Sequence, residues 1–137
     1  MAYSFFEHTA DVGVECRAPT FKRLLKEAAQ AMYETALLET EDCAAFEQTI
    51  NITGESYDEV LVRWLQELLF LLDTQHFVAT QFDIHRHETK PFVYSGKLKG
   101  YSHKPDARAV EIKAATYHEA GVKFENDVWV GRIIFDL

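Results

Sequence analysis

The feature that most constrains the fold is a long succession of strand-like segments in the second half of the chain. Apolar, alternating segments cover residues 77–88, 92–99, 109–118, 121–125 and 128–137. Turn-forming residues separate several of them, at 89–91, 104–106 and 126–127. Parallel strands need a crossover of about a dozen residues or more, and the connections among the C-terminal segments are too short for one. We therefore expect antiparallel pairing there.

Two helical patterns precede these strands, and each follows a strand-like segment, at 12–18 and 46–53. Thr20 is the predicted N-cap of the first helix, whose apolar residues recur at helical spacing. Before the second helix, Ser56 and Glu59 have the spacing of a capping box. Its wide apolar face, which includes Trp64, predicts a central core helix.

These elements predict an α+β domain of two layers, with two helices packed on one largely antiparallel sheet, a mixed sheet being the alternative. A chain of 137 residues with 47% hydrophobic residues is expected to form a single domain, 1–137, without disulfides. Cys16 alternates with Val12 and Val14, so it should be a buried structural thiol. Cys43 lies far from it, and two such cysteines fit a reducing compartment.

The charge of the chain restricts its partners. Its 22 acidic and 14 basic side chains give a net charge of −8. Such a surface repels phosphate backbones and would suit a basic protein partner, although it also fits a domain that only needs to stay soluble. Residues 1–20 contain no basic segment followed by an apolar one, and no apolar stretch reaches the roughly 20 residues that span a bilayer. We expect a cytoplasmic protein without membrane contact.

Two carboxylates stand at strand ends. Asp11 and His8 lie in the segment 7–13, between the first two strand-like runs, and Asp136 ends the last run. Two acids at the ends of separate strands suggest a small oxygen-lined cation site. The alternative is that each residue caps a turn, as aspartates at strand ends commonly do.

The other histidines give weaker signals. His85 and His87 share one strand face and have the spacing of a chelating pair, but a solvated polar face is the commoner outcome. His118 ends a predicted strand and is either a buried, hydrogen-bonded side chain or part of a site. The sequence contains no phosphate-binding glycine loop and no nucleophile with an evident base, which weighs against an enzyme.

Four segments, in order, resemble the archease family. They are 6–13 (FEHTADVG), 62–70 (VRWLQELLF), 111–118 (EIKAATYH) and 134–137 (IFDL), and together they span nearly the whole chain. One departure occurs at Gly100-Tyr101, where many members have Gly-Glu.

The resemblance implies a function that composition does not indicate. Archeases are accessory proteins of the GTP-dependent, RtcB-type RNA ligase that joins 2′,3′-cyclic phosphate and 5′-hydroxyl ends in tRNA splicing and RNA repair. They accelerate guanylylation of the ligase histidine and permit multiple turnover. GTP is thus a substrate of the ligase, and RNA is contacted only through it. By residue match, Asp11 and Asp136 would hold a cation, and Lys113 would be functionally important.

The donor chemistry agrees with part of this implication. Carboxylates are hard ligands suited to a divalent cation such as Ca²⁺, with Mg²⁺ or Mn²⁺ as alternatives, rather than to tetrahedral zinc. Two carboxylates rarely complete a coordination shell of about six ligands, so backbone carbonyls, water or the terminal carboxylate of Leu137 would contribute. His8 would orient Asp11. Lys113 is alternatively a plain exposed strand residue.

Three function classes follow. The leading hypothesis is a non-enzymatic activator of the RNA ligase, acting as a monomer or small homo-oligomer. The second is a metal-dependent phosphohydrolase that uses the same carboxylates, for which no second metal cluster or nucleophile is evident. The third is a chaperone-like binding module for RNA-modifying enzymes, which would act through exposed apolar surface.

Overall fold

The computed structural model describes residues 2–8 and 11–137, apart from the side chains of residues 7, 8 and 118–120. Within this part of the chain there are seven strands and two α-helices, and a short 3₁₀ helix at Pro105–Ala107. In chain order the main elements are β1 (Ala2–His8), β2 (Asp11–Ala18), α1 (Phe21–Ala36), β3 (Phe46–Gly54), α2 (Tyr57–Gln75), β4 (Phe77–Thr89), β5 (Phe92–Ser102), β6 (Ala114–Glu125) and β7 (Val128–Asp136).

The described strands form two sheets, with orders β1-β2-β7-β6 and β3-β5-β4, and all their pairings are antiparallel. The predicted α+β class with two helices and antiparallel strands is therefore confirmed. The strands nevertheless divide into two sheets, whereas one was expected. The chain leaves the four-stranded sheet after β2, forms the three-stranded sheet with β3, β4 and β5, and returns to the first sheet at β6. Residues 103–113, which include the 3₁₀ helix, belong to neither sheet.

The segment 109–113 was predicted to be strand and is not. The N–H groups of Ala109 and Val110 both donate to the carbonyl of Ala36, over 2.8 and 3.3 Å, so this segment occupies the C-terminal end of α1. Backbone groups used in this way cannot also pair with a neighbouring strand.

The remainder of the predicted strand 109–118 and the predicted strand 121–125 form a single strand, β6, which contains a bulge. Tyr117 pairs with Ile133 and Val122 pairs with Gly131, so four residues of β6 stand opposite a single residue of β7. Asp58, in the first turn of α2, accepts the N–H of Val122 over 2.5 Å. The residue at which pairing with β7 resumes is thus also bonded to a helix.

Both helices begin at the predicted N-caps. The Thr20 side chain accepts from the N–H of Arg23, and Ser56 Oγ accepts from the N–H of Glu59, each over 3.2 Å. The reciprocal half of the capping box is replaced by an ion pair, because the Glu59 carboxylate lies 2.8 Å from the guanidinium of Arg63, one turn along the helix.

Helix α2 joins the two sheets in one core. Trp64 is 1% exposed, and its ring packs on Gly96 of β5, where an added Cβ would come within 2.9 Å of the indole. Leu61 packs on Gly131 of β7. The prediction that α2 is the central core helix is confirmed. No helix in the described part of the chain has the length and apolarity needed to cross a bilayer.

Candidate functional site

The strand register brings the two predicted carboxylates together at one end of the four-stranded sheet. Val12 of β2 pairs with Phe135 of β7. One position further out, this antiparallel register sets Asp11 opposite Asp136. Cβ atoms of residues opposed in this way lie about 5 Å apart, within the span of one shared cation. We call this pair, together with Leu137 and Lys113, the acidic tip.

Two backbone N–H groups donate hydrogen bonds within the acidic tip, one to a side chain and one to the main chain. The N–H of Leu137 donates to Asp11 Oδ1 over 3.4 Å, and the N–H of Lys113 donates to the carbonyl of Asp136 over 2.7 Å. Asp11 is half-buried, whereas Asp136 and Lys113 are exposed. Leu137 therefore contacts the site through its amide, and coordination by its terminal carboxylate stays a prediction. The sequence did not predict these two bonds, because they depend on strand register rather than on side-chain type.

The two predicted histidines are only partly described. In β1 the backbone of His8 pairs with Asp11, which places it at the same end of the sheet. His118 follows Tyr117 in β6, within the bulge. Both side chains lie outside the described part of the chain, so their roles stay predictions.

Next to the carboxylates, on the outer sheet face, lies a group of residues that sequence reasoning also missed. The ring of Phe6 lies against Gly13, where there is no room for a Cβ atom. The guanidinium of Arg132 lies 4.4 Å from the centre of the Phe6 ring and 3.2 Å from the Glu15 carboxylate. The period-two pattern of β2 places Gly13 and Glu15 on the same face as Asp11. This alternation could therefore have indicated that both residues lie near the carboxylates.

The donor set of the acidic tip fits a hard cation but does not complete its coordination. Across the described residues, no group of three or more His, Cys, Asp or Glu side chains is placed to hold a metal. Two neighbouring carboxylates suit Ca²⁺, Mg²⁺ or Mn²⁺, which take additional ligands from carbonyls, water or a bound partner. Tetrahedral zinc coordination does not fit this set.

The other candidate metal pair has a different role. His85 Nε2 lies 2.9 Å from the Asp83 carboxylate, and His87 Nε2 lies 2.6 Å from the Ser95 hydroxyl. Both histidines are exposed, and each uses a ring nitrogen in a separate contact. This arrangement is the solvated polar strand face that the sequence analysis favoured over chelation.

The departure at Gly100-Tyr101 has a structural role. Tyr101 is buried, and its hydroxyl accepts the N–H of Glu41 over 2.9 Å, which holds the acidic loop after α1. Burial raises the pKa of the Tyr101 hydroxyl, with the nearby Glu41 carboxylate adding to the effect. Tyr101 therefore has a packing role and a hydrogen-bonding role in this chain.

Comparison with known proteins agrees with this architecture. The solution structure of protein 1598 from Methanobacterium thermoautotrophicum superposes with a TM-score of 0.85, at 31% identity over 98% of both chains. The crystal structure of an archease from Thermotoga maritima, described as a possible chaperone, has a TM-score of 0.63 at 22% identity and covers 96% of this chain and 94% of its own. At that identity it supports the fold alone.

Sequence relatives cover the chain from end to end. The protein archease of Archaeoglobus fulgidus is 32% identical over the full length of both chains. That of Methanothermobacter thermautotrophicus is 32% identical over 98% of both chains, and that of Methanopyrus kandleri is 30% identical over the full length of both. The model of the archease protein family matches residues 3–137. The chain therefore belongs to the archease family.

Proposed function

We propose that this protein activates a GTP-dependent RNA ligase of the RtcB type by presenting a divalent cation at its acidic tip. The observation that supports the proposal is the pairing of Val12 with Phe135, whose continuation by one residue would set Asp11 opposite Asp136. The backbone N–H of Lys113 donates to the carbonyl of the same Asp136. Membership of the archease family supports the same assignment. The protein would act on the ligase and would not itself join RNA.

The two carboxylates of the acidic tip do not complete the coordination of a cation, which is why a partner could supply further ligands. A cation held by two carboxylates keeps coordination positions for oxygens from elsewhere. When bound, it would polarise a phosphate oxygen of GTP in the ligase site as a Lewis acid. Asp11 is held by the amide of Leu137, so one ligand is preorganised before the partner arrives.

Lys113 would supply the positive charge of the tip. Its side chain is exposed, and its backbone N–H donates to Asp136. An ammonium beside two carboxylates suits a phosphate or an acidic side chain of the ligase. The −8 net charge would direct the protein to a basic cleft such as a nucleotide-binding ligase presents.

Single-turnover guanylylation of the ligase by GTP tests the proposal. Wild-type protein should accelerate the reaction, and Asp11→Asn, Asp136→Asn and Lys113→Ala should fail to do so while remaining folded. Asp42→Asn and Lys99→Ala, at exposed positions away from the tip, are the matched controls and should behave as wild type. Acceleration by all three tip variants would refute the proposed site.

A chaperone-like role is the second candidate, and exposed apolar side chains favour it. Phe70 on α2 is 59% exposed, Leu38 is 69% exposed and Phe46 is 56% exposed. Each of these exposed side chains could contact an apolar segment of an unfolded partner without a cation. Suppression of partner aggregation that persists in EDTA and is lost in Phe70→Ser would support this role over the first.

The phosphohydrolase alternative makes a separate prediction. Hydrolysis of GTP or a phosphoester by the purified protein would have to depend on Asp11 and Asp136. We expect no turnover, because the sequence shows no nucleophile with an evident base beside these carboxylates.

A further inference from the structure

A cleft lies at the end of the four-stranded sheet opposite the acidic tip. It has a volume of about 420 Å³, and the side chains that matter for its chemistry are Phe21, Lys22, Tyr57, Arg86, Tyr94 and Trp129. We call it the aromatic cleft. Trp129 pairs with Ala18, the last residue of β2, whereas Asp11 is the first. At about 3.3 Å per residue, the two sites lie roughly 20 Å apart.

The aromatic rings of the cleft are packed against one another. The ring centre of Tyr57 lies 4.7 Å from that of Phe21 and 4.7 Å from that of Trp129. Phe21 and Tyr94 are buried and form the floor, while Tyr57 and Trp129 are half-buried and keep part of their surface open to the cleft. Rings held by their neighbours form a preformed surface on which a flat group can stack.

The charged side chains of the cleft are both positive. Lys22 and Arg86 are exposed, and in the part of the chain that the structure describes neither forms an ion pair with a carboxylate. Burial raises the pKa of the Tyr94 hydroxyl, and the nearby positive charge of Arg86 opposes part of that rise, so Arg86 lies close to Tyr94 at the cleft. The protein has a net charge of −8, so two cationic side chains beside a group of edge-packed and tilted rings differ from the charge of the molecule as a whole.

We infer that the aromatic cleft binds a nucleotide, that is, a planar base that carries phosphate. A base stacks on aromatic side chains with about 1–3 kcal/mol per base, and phosphate is the anion that arginine and lysine bind most directly. A purely apolar ligand would leave both cations without a partner, and an anion without a ring would leave the aromatic surface uncovered. The volume falls within the roughly 300–1,000 Å³ of small-molecule sites.

The same chemistry is offered by a free mononucleotide and by an exposed nucleotide of single-stranded RNA. The net charge disfavours a long nucleic-acid contact, because phosphates beyond the cleft would meet the acidic surface. The cleft therefore fits one nucleotide. This inference does not depend on the acidic tip, which lies at the other end of β2.

Binding can be measured through Trp129, one of the two tryptophans, because Trp64 is buried in the core. We expect AMP to change the fluorescence saturably, and Trp129→Phe to abolish the change. Adenosine and ribose 5-phosphate, which each lack one half of the ligand, should bind at least about tenfold more weakly, since a charge-assisted bond or a stacked base is worth about that factor. A short oligoadenylate tests the RNA source: tighter binding than AMP assigns the cleft to RNA ends, and weaker binding assigns it to free nucleotides.

Matched variants connect the binding to the cleft. Lys22→Gln and Arg86→Gln should each weaken AMP binding by about tenfold. Arg23→Gln removes the same charge from the same helical turn but outside the cleft, and should change binding by less than about twofold. Circular dichroism verifies that each variant is folded, and Asp11→Asn should leave AMP binding unchanged. The inference is overturned if no probe gives a saturable signal, or if Arg23→Gln weakens binding as much as Lys22→Gln.

Discussion

The indole N–H of Trp64 donates a hydrogen bond to the backbone carbonyl of Leu25 over 2.9 Å, so a side chain of α2 is bonded to the main chain of α1. The two atoms lie in the buried core, where water cannot replace either partner. Trp64→Phe removes the donor and leaves the carbonyl without this partner.

The cost of Trp64→Phe should be about 1–3 kcal/mol for the hydrogen bond, plus a further loss for the space left by the larger ring. Urea denaturation followed by circular dichroism measures it. Phe70→Leu, at an exposed position of the same helix, serves as control and should change the free energy of unfolding by less than about 0.5 kcal/mol. Equal stability of Trp64→Phe and wild type would show that the bond contributes nothing.

Two glycines should differ sharply in their tolerance of a methyl group. At Gly100 an added Cβ would collide with the backbone carbonyl of Val78 on the paired strand, which cannot move without breaking the sheet. At Gly13 the collision is with the ring of Phe6, a side chain that can rotate away. Gly100→Ala should therefore be the more destabilising in thermal melts, and a reversed order would contradict this account.

Much of the fold was predictable because it depends on local signals. Thr20 and Ser56 begin their helices as predicted, since an N-cap needs only a hydroxyl and the backbone amide three residues further along. The division into two sheets was not predictable, because alternation shows which face of a strand is buried and not which strand lies beside it. The path of residues 109–113 depends on the carbonyl of Ala36, a contact without any local pattern.

The candidate site was predictable as a list of residues and not as an arrangement. Asp11 and Asp136 are 125 positions apart in sequence, and only the pairing of β2 with β7 makes them neighbours. Their positions at strand ends and the family resemblance both indicated the pair, whereas only the strand register gives a physical reason for their proximity. The aromatic cleft was missed, because Phe21 and Trp129 read as ordinary core residues of separate elements.

Metal binding should stabilise the protein through the acidic tip. A calcium or manganese titration should raise the melting temperature, because the cation binds the folded state. At a free cation concentration a hundredfold above the dissociation constant, the free energy of unfolding should increase by about 2.7 kcal/mol. Asp11→Asn and Asp136→Asn should each abolish the rise, whereas Asp42→Asn should retain it. A full thermal response in both tip variants would remove the cation from the proposal.

The two cysteines should differ in reactivity. Cys16 is buried, and the loss of hydration raises the pKa of its thiol from 9.0 to about 12, with a contribution from the Glu27 carboxylate. Cys43 is exposed. At about pH 8 a thiol reagent should label Cys43 and leave Cys16 unlabelled until the protein unfolds. Rapid labelling of Cys43→Ser would contradict the burial of Cys16.

The raised pKa of Cys16 also predicts the direction in which the free energy of unfolding changes with pH. The folded state favours the neutral thiol, so this contribution to stability is fully present below about pH 9, and is lost as the pH rises through the folded-state value. Cys16→Ala should flatten the fall in the free energy of unfolding over this alkaline range relative to wild type. An unchanged slope would show that another group causes the fall.

Association with the ligase should weaken as the salt concentration rises, because salt screens the attraction between the −8 charge and a basic partner. The Debye screening length is about 8 Å at physiological ionic strength. The association rate should fall more than the dissociation rate increases. Stopped-flow mixing at several salt concentrations measures both, and a rate of association that does not depend on salt would exclude electrostatic steering.

The bulge in β6 affects the tendency of the protein to aggregate at high concentration. β6 is an edge strand of its sheet, and an edge strand with a regular row of free amides and carbonyls is a template on which another chain can add. Here the row is interrupted between Tyr117 and Val122, and the N–H of Val122 is already bonded to Asp58. An incoming strand would find two short stretches out of phase with each other, so the irregularity guards the sheet against growth into a fibril.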